Sequence, residues 1–170
     1  MIFADADDGA DETRRTCACH IIILAAGALI WMSKFIKEYA LSSCESEIRA
    51  IAAALPAIKS ALYVKKILQE TVEAGLIEES VVQNMDLQLA MPMVILEDNK
   101  AAIDWSNKPT STQRMRHVER SLYWIRQFVA KKWIVLKAIK TENQLADIGT
   151  KPVTKNIFQQ LVQKIISYFI

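Results

Sequence analysis

Residues 1–11 read MIFADADDGAD, an apolar start followed by four aspartates, Asp5, Asp7, Asp8 and Asp11, within seven positions. Met1 to Ala6 has the content of a short strand, so the acids fall on its end or just beyond it. The two-residue period of a strand places Asp5 and Asp7 on one face. A second stretch repeats the arrangement. In MPMVILED (Met91–Asp98) a continuous apolar run from Met93 to Leu96 stops at Glu97 and Asp98. Such a run suits a strand buried on both faces, with Pro92 tolerated at its start. A carboxylate that ends an apolar strand is costly unless it is solvated, paired or bound to a metal.

Outward from these two strands, CHIIILAAG and ALIWMSKFIK predict two further strands that turn at Gly27. In LSSCESEIRAIAAAL, Ser42 or Ser43 caps a helix whose apolar stripe is Ile48, Ile51, Ala52 and Leu55. Pro56 kinks or ends that helix, and AIKSALYVKKILQE resumes the helical pattern. Residues 71–90 have no clear pattern beyond a helix and a loop. NKAAIDWSN is a short helix, and Met115, Val118, Leu122, Ile125 and Val129 recur at helical spacing among several arginines. KWIVLKAIK is a fifth strand. Thr141 with Gln144 three residues on predicts a capping box, Pro152 breaks the helix that follows, and KNIFQQLVQKIISYFI is a last amphipathic helix. Three adjacent strands followed by strands that alternate with helices imply an α/β domain, a mixed sheet covered by helices.

The 170 residues suit one domain with a core; 52% are hydrophobic and 24% charged, with 4 Gly and 4 Pro, which excludes a disordered or collagen-like chain. The longest apolar run, Ile21 to Met32, is shorter than the ~20 residues of a spanning helix, so no membrane partner is expected. There is no basic stretch leading into an apolar one at the N-terminus, and Cys17, Cys19 and Cys44 cannot all pair. Both features predict an intracellular, cytoplasmic or nuclear, protein rather than a secreted one. Residues 1–98 carry 15 acidic and 8 basic side chains, residues 99–170 carry 4 and 13. A basic half on a small domain suits a polyanion partner, although charge alone equally fits a solvated surface.

Crowded carboxylates raise one another's pKa values, and a divalent cation reverses that by keeping them ionised. Oxygen ligands without a His or Cys cluster select Mg²⁺ or Mn²⁺ over zinc. Two such ions about 4 Å apart hydrolyse phosphodiesters. The CACH run (Cys17–His20) has no second ligand pair, and its residues read as small buried strand positions.

Six stretches carry a more specific signal: ADADDGADETRRTCAC from Ala4, WMSK at Trp31–Lys34, SSCESE at Ser42–Glu47, EDNKAAI at Glu97–Ile103, RHV at Arg116–Val118 and ADIGTKP at Ala146–Pro152. In this order and over nearly the whole chain, they resemble the ribonuclease H domain at the C-terminal end of copia-type retrotransposon polyproteins. The chain departs from that pattern at Asp8, Cys19, His20 and Gly149, where the family has Trp, Gly, an aromatic and Phe. With four residues before Asp5 and no preceding reverse-transcriptase portion, it reads as a fragment.

The resemblance implies a ribonuclease H-like fold, a five-stranded mixed sheet in order 3-2-1-4-5 flanked by helices, over residues 1–152, with residues 153–170 a C-terminal amphipathic helix packing on it or extending it. It implies a metal-dependent hydrolase of the RNA strand of RNA–DNA hybrids, using two Mg²⁺ or Mn²⁺ ions. Asp5, Glu47, Asp98 and Asp147 match the catalytic, metal-binding acids, with Asp5 the bridging candidate and Glu45 a lower-ranked alternative to Glu47. Arg14, Arg15, Asn99, Arg116 and His117 are the candidates for contacts to the nucleic acid. The implied partners are an RNA–DNA hybrid and an upstream reverse-transcriptase domain. The alternative is a catalytically inactive ribonuclease H-like domain, either one that binds nucleic acid without cutting it or a remnant.

Overall fold

The computed structural model describes residues 1–8, 15–24, 27–37, 40–84, 92–108 and 120–167. Five strands form one sheet: β1 (Ile2–Asp8), β2 (Thr16–Leu24), β3 (Gly27–Phe35), β4 (Met93–Glu97) and β5 (Ile134–Ala138). Their order is β3-β2-β1-β4-β5, with β1, β2 and β3 antiparallel and β1, β4 and β5 parallel. This is the ribonuclease H-like topology expected from the sequence. The strand expected from Cys19 in fact starts at Thr16, because β2 follows β1 in register as far as Asp8↔Thr16.

Alternation along the strands divides the core into two layers. On one face Ile2, Ala4, Ile22 and Ile95 pack beneath α1 (Ser43–Ala53), α2 (Leu55–Glu73), α4 (Lys100–Asn107) and α5 (Trp124–Ala130), with α3 (Glu79–Asn84) between α2 and β4 in the chain. On the other face Phe3, Cys19, Ile21 and Ile23 meet Leu145, Ala146 and Leu161, which come from around α6 (Asp147–Thr150) and from α7 (Lys155–Ser167). Fully burying a side chain such as Ile2 or Phe3 contributes about 1.5–3 kcal/mol, so β1 is stabilised from both sides.

Local chemistry sets the helix ends. Ser42, rather than Ser43, caps α1, its hydroxyl accepting from the Glu45 N–H at 3.2 Å. Pro56 has no N–H with which to continue the α1 ladder, so the chain turns at Ala54 and restarts with Pro56 in the first turn of α2. The capping box expected at Thr141 does not form. Thr141 begins a short 3-10 turn, Thr141–Asn143, and Gln144 instead enters the core, where it is 0% exposed. Its Nε2 donates to the Ala4 carbonyl at 2.9 Å and to that of Leu96 at 3.4 Å. Of the helix expected around Met115–Val129, residues 120–130 lie among the described residues, as a 3-10 turn followed by α5. Arg126 there is no solvated arginine: its Nε donates to the Trp105 carbonyl at 2.8 Å and its guanidinium stacks 4.1 Å over the Trp105 ring.

Gly149 and Cys19, two of the departures from the family pattern, face each other. A Cβ on Gly149 would lie 2.5 Å from the Cys19 Sγ and 3.2 Å from the Ser33 Cβ, so α6 sits on β2 and β3 only because this position lacks a side chain. Helix propensity alone would make Gly149→Ala stabilising by about 0.4–1 kcal/mol. The contact reverses the sign, with overpacking of about 1–3 kcal/mol expected. Thermal unfolding should show Gly149→Ala lowering Tm in the wild-type background and doing so much less beside Cys19→Ala, which removes the sulfur. A Gly149→Ala protein more stable than wild type would refute the close packing.

Candidate metal centre

The centre of the sheet is where β1 and β4 part. Their parallel ladder pairs Ile2 with Ile95 and Phe3 with Leu96 and then ends, while β1 continues along β2 to Asp8. The same register carried forward sets Asp5 opposite Asp98. A gap outside the carboxyl ends of strands, where neighbouring connections diverge, is the usual crevice of an open α/β sheet.

Three acids from distant parts of the chain meet at this gap. One carboxylate oxygen from each of Asp5, Glu47 and Asp98 lies within 4.8 Å of the others. Asp5, on the Phe3 face of β1, is 1% exposed, and its Oδ2 accepts from the Thr150 hydroxyl. Glu47 comes from α1 on the opposite side, its Oε2 accepting from the Ala6 N–H at 2.9 Å, beyond the end of the β1–β4 ladder. Asp98 follows β4 and accepts from the Thr141 hydroxyl at 2.8 Å. Thr141, read from sequence as a helix cap, thus orients an acid.

The geometry separates the two glutamates of ESE. Glu45 is turned from the group: its Oε1 takes Nε and Nη2 of Arg49 at 3.1 and 2.8 Å, and its Oε2 takes the Leu41 N–H at 3.0 Å. Asp147 begins α6 and lies outside the three-acid group. It connects to it through Lys151, whose Nζ is 2.9 Å from Asp147 Oδ1 and 3.5 Å from Asp5 Oδ2.

Glu97 is an acid that the sequence reading did not assign to the site. It is 0% exposed, its Oε1 accepts from the Asn99 N–H at 3.0 Å, and among the described residues its Oε2 has no hydrogen-bond partner. The only sequence signal was its adjacency to Asp98. Burial, with the neighbouring Asp98 and Asp5, pushes its pKa up to about 8. Burial and then Glu97, Asp5 and Asp98 push Glu47 to about 10. Burial is also the largest influence on Asp5, raised to about 7 against the Thr150 hydrogen bond and the Lys151 charge. Burial works against the Lys151 ammonium, but Asp147, Asp5 and Asp98 outweigh it and hold its pKa above the ordinary value. A set of oxygen donors too crowded to ionise together, with one buried oxygen left without a partner among the described residues, fits a hard divalent cation.

Of the residues expected to contact nucleic acid, Arg14, Arg116 and His117 lie outside the described residues. Arg15 is exposed, its guanidinium 4.6 Å over the Phe35 ring. Asn99 caps α4 through its Oδ1, which accepts from the Ala101 and Ala102 N–H groups at 3.0 and 3.2 Å; the cap does not use its amide nitrogen. The CACH residues do not converge, since Cys17 and Cys19 share one face of β2 and His20 takes the other. Burial pushes the Cys19 thiol up to about 12.

No protein-family model matches the chain, and no solved structure matches it. Among curated proteins it is 29% identical over 158 residues to the "Retrovirus-related Pol polyprotein from transposon TNT 1-94" of Nicotiana tabacum, covering 92% of the chain and 10% of the polyprotein. The corresponding polyproteins from transposons RE2 and RE1 of Arabidopsis thaliana are each 27% identical over 164 residues, 96% of the chain and 10% of their own length. The chain spans about a tenth of the length of these relatives, and over nearly all of its own length it is their distant homologue.

Proposed function

We propose that this domain is a ribonuclease H of copia-type retrotransposon origin, hydrolysing the RNA strand of RNA–DNA hybrids with divalent metal ions. The observation that carries the reading is the meeting of Asp5, Glu47 and Asp98 within 4.8 Å where β1 and β4 part. Distant homology to Pol polyproteins supports it. Asp5, Glu47 and Asp98 would hold one Mg²⁺ or Mn²⁺ ion, and Asp5 with Asp147 a second. Ions bound there would lower the pKa of water and stabilise charge on the scissile phosphate.

The chain's own residues prepare this chemistry. Thr150, Thr141 and the Ala6 N–H each fix one carboxylate, so the acids are oriented in advance. Exposed Lys100, Lys108, Lys137 and Lys140 belong to the basic half and would attract the phosphate backbone. Hybrid recognition of this kind reads shape, phosphates and 2′-hydroxyls rather than bases. Arg14, Arg15, Asn99, Arg116 and His117 are the proposed contacts, and a reverse-transcriptase portion of a longer polyprotein is the proposed partner that supplies further grip.

Two measurements test the reading. With Mg²⁺ or Mn²⁺, a labelled RNA–DNA hybrid should be cut in its RNA strand only. Asp98→Asn should lower the rate by at least about 10²-fold, since even residues that merely orient metal ligands are worth 10–100-fold. A folded chain that binds the hybrid without cutting it would replace the enzyme with a nucleic-acid-binding domain.

The second measurement is stability against pH. Without metal, the folded state holds protons on Asp5, Glu97 and Glu47 that the unfolded chain releases in the ordinary carboxylate range. The stability this gives is full below that range and is lost as pH rises through about 7, 8 and 10. Tm should therefore fall between pH 5 and pH 9 in chelator, and Mg²⁺ should counter the fall. At a hundredfold excess over Kd the gain is about 2.7 kcal/mol, or roughly 5–10 °C for a chain of this size. A Tm at pH 9 indifferent to both Mg²⁺ and Mn²⁺ would remove the metal site.

A further inference from the structure

One residue of the acid cluster is a base. Lys151 follows the last residue of α6, four residues after Asp147, the helical spacing at which an acid and a base meet. Its Nζ is 2.9 Å from Asp147 Oδ1 and 3.5 Å from Asp5 Oδ2, and its backbone N–H also bonds the Asp147 carbonyl at 3.1 Å. The residue before a proline is driven to extended backbone, and Lys151, before Pro152, has φ −121° and ψ 146°. The sequence DIGTKP thereby turns the chain at the residue whose ammonium reaches back to Asp147.

Both partners of Asp5 from this segment, the Thr150 hydroxyl and the Lys151 ammonium, fall on the same oxygen, Oδ2. The acid that would bridge two ions therefore has one of its oxygens engaged by a positive charge of the protein itself. The two carboxylates that would share an ion on that side, Asp5 and Asp147, share Lys151 instead. We propose that the Lys151 ammonium is the resident second cation of this centre, spanning Asp5 and Asp147 until a divalent ion displaces it. The proposal rests on the metal-site reading above. Lysine suits the role better than arginine, being a compact charge on a flexible stem. Its side chain is 33% exposed, so the ammonium can withdraw into water without unfolding anything. The centre then loads in two steps, the first ion entering among Asp5, Glu47 and Asp98 and the second only as the lysine leaves.

Manganese titration of the full chain, with the free ion counted by electron paramagnetic resonance, tests this. Wild type should bind one ion per chain, with a second at least about tenfold weaker. Lys151→Met and Lys151→Gln should bring the second ion to within a few-fold of the first, and Lys151→Arg, which keeps the charge, should not. Adding Asp147→Asn to either neutral variant should return the count to one. Two ions of similar affinity in wild type, unchanged by the neutral substitutions, would overturn the role of Lys151 and leave the metal site standing. So would a gained ion that survives Asp147→Asn. No bound manganese in wild type or any variant would remove the metal site itself, and this proposal with it.

Discussion

Asp5 is a carboxyl group held at 1% exposure on the central strand of the sheet, and the surrounding structure is arranged to tolerate it. A charge in that position without compensation would cost several kcal/mol. The compensation is supplied from one side by α6, through the Thr150 hydroxyl and the Lys151 ammonium. The position of α6 depends in turn on the missing side chain at Gly149, whose carbonyl accepts from the Ser33 hydroxyl at 2.5 Å on the edge strand. A residue on β1 is thus stabilised by a segment about 145 positions away, which is held by β2 and β3.

The acids can gather because the sheet opens. If the β1–β4 ladder ran two residues further, backbone bonds would close the gap that Asp5 and Asp98 face. Gln144 fills the point of divergence, its amide joining the carbonyls of Ala4 and Leu96 as the strands separate. An amide there satisfies two buried acceptors that would otherwise be left unpaired. Glu47 reaches the same gap from the opposite layer and takes the Ala6 N–H. Helices on both faces are therefore required, and an acid cluster of this kind could not be built on a sheet covered on one side only.

Where the sequence was legible, the signal was a change of chemistry over one or two residues. The boundary between Leu96 and Glu97 located the end of β4, and the apolar start from Met1, giving way to acids at Asp5 and Asp7, located β1. The two glutamates of ESE were not separable in the same way. They lie two residues apart on a helix, hence about 200° around its axis, and only the packing of Ile48 and Ile51 on the sheet decides which turns to the gap. Thr141 and Gln144 misled for a related reason. Their spacing is a local capping signal, and both side chains were taken up by distant partners, Asp98, Ala4 and Leu96. Glu97 was invisible as a site residue because a strand-terminal acid next to another acid looks solvated until its burial is known. Long-range contacts and burial, rather than local propensity, carried what was missed.

Charge balance gives the centre its logic. Asp5, Glu47, Glu97, Asp98 and Asp147 are five carboxyl groups coupled through Asp5 and Asp98, with the basic Lys151 beside Asp5, Asp98 and Asp147. Fully ionised, they leave four negative charges, more than a buried site can hold, and the raised pKa values of Asp5, Glu97 and Glu47 express that excess as retained protons. With Lys151 displaced the five carboxylates would carry five negative charges, of which two divalent ions would cancel four. Protons, one ammonium and metal ions are therefore interchangeable ways of neutralising a single cluster, and each must be released for another to enter. A cluster of this kind is costly to the fold by itself. Its arrangement fits a receptacle for cations, a role in which the lysine and the retained protons would stand in for them.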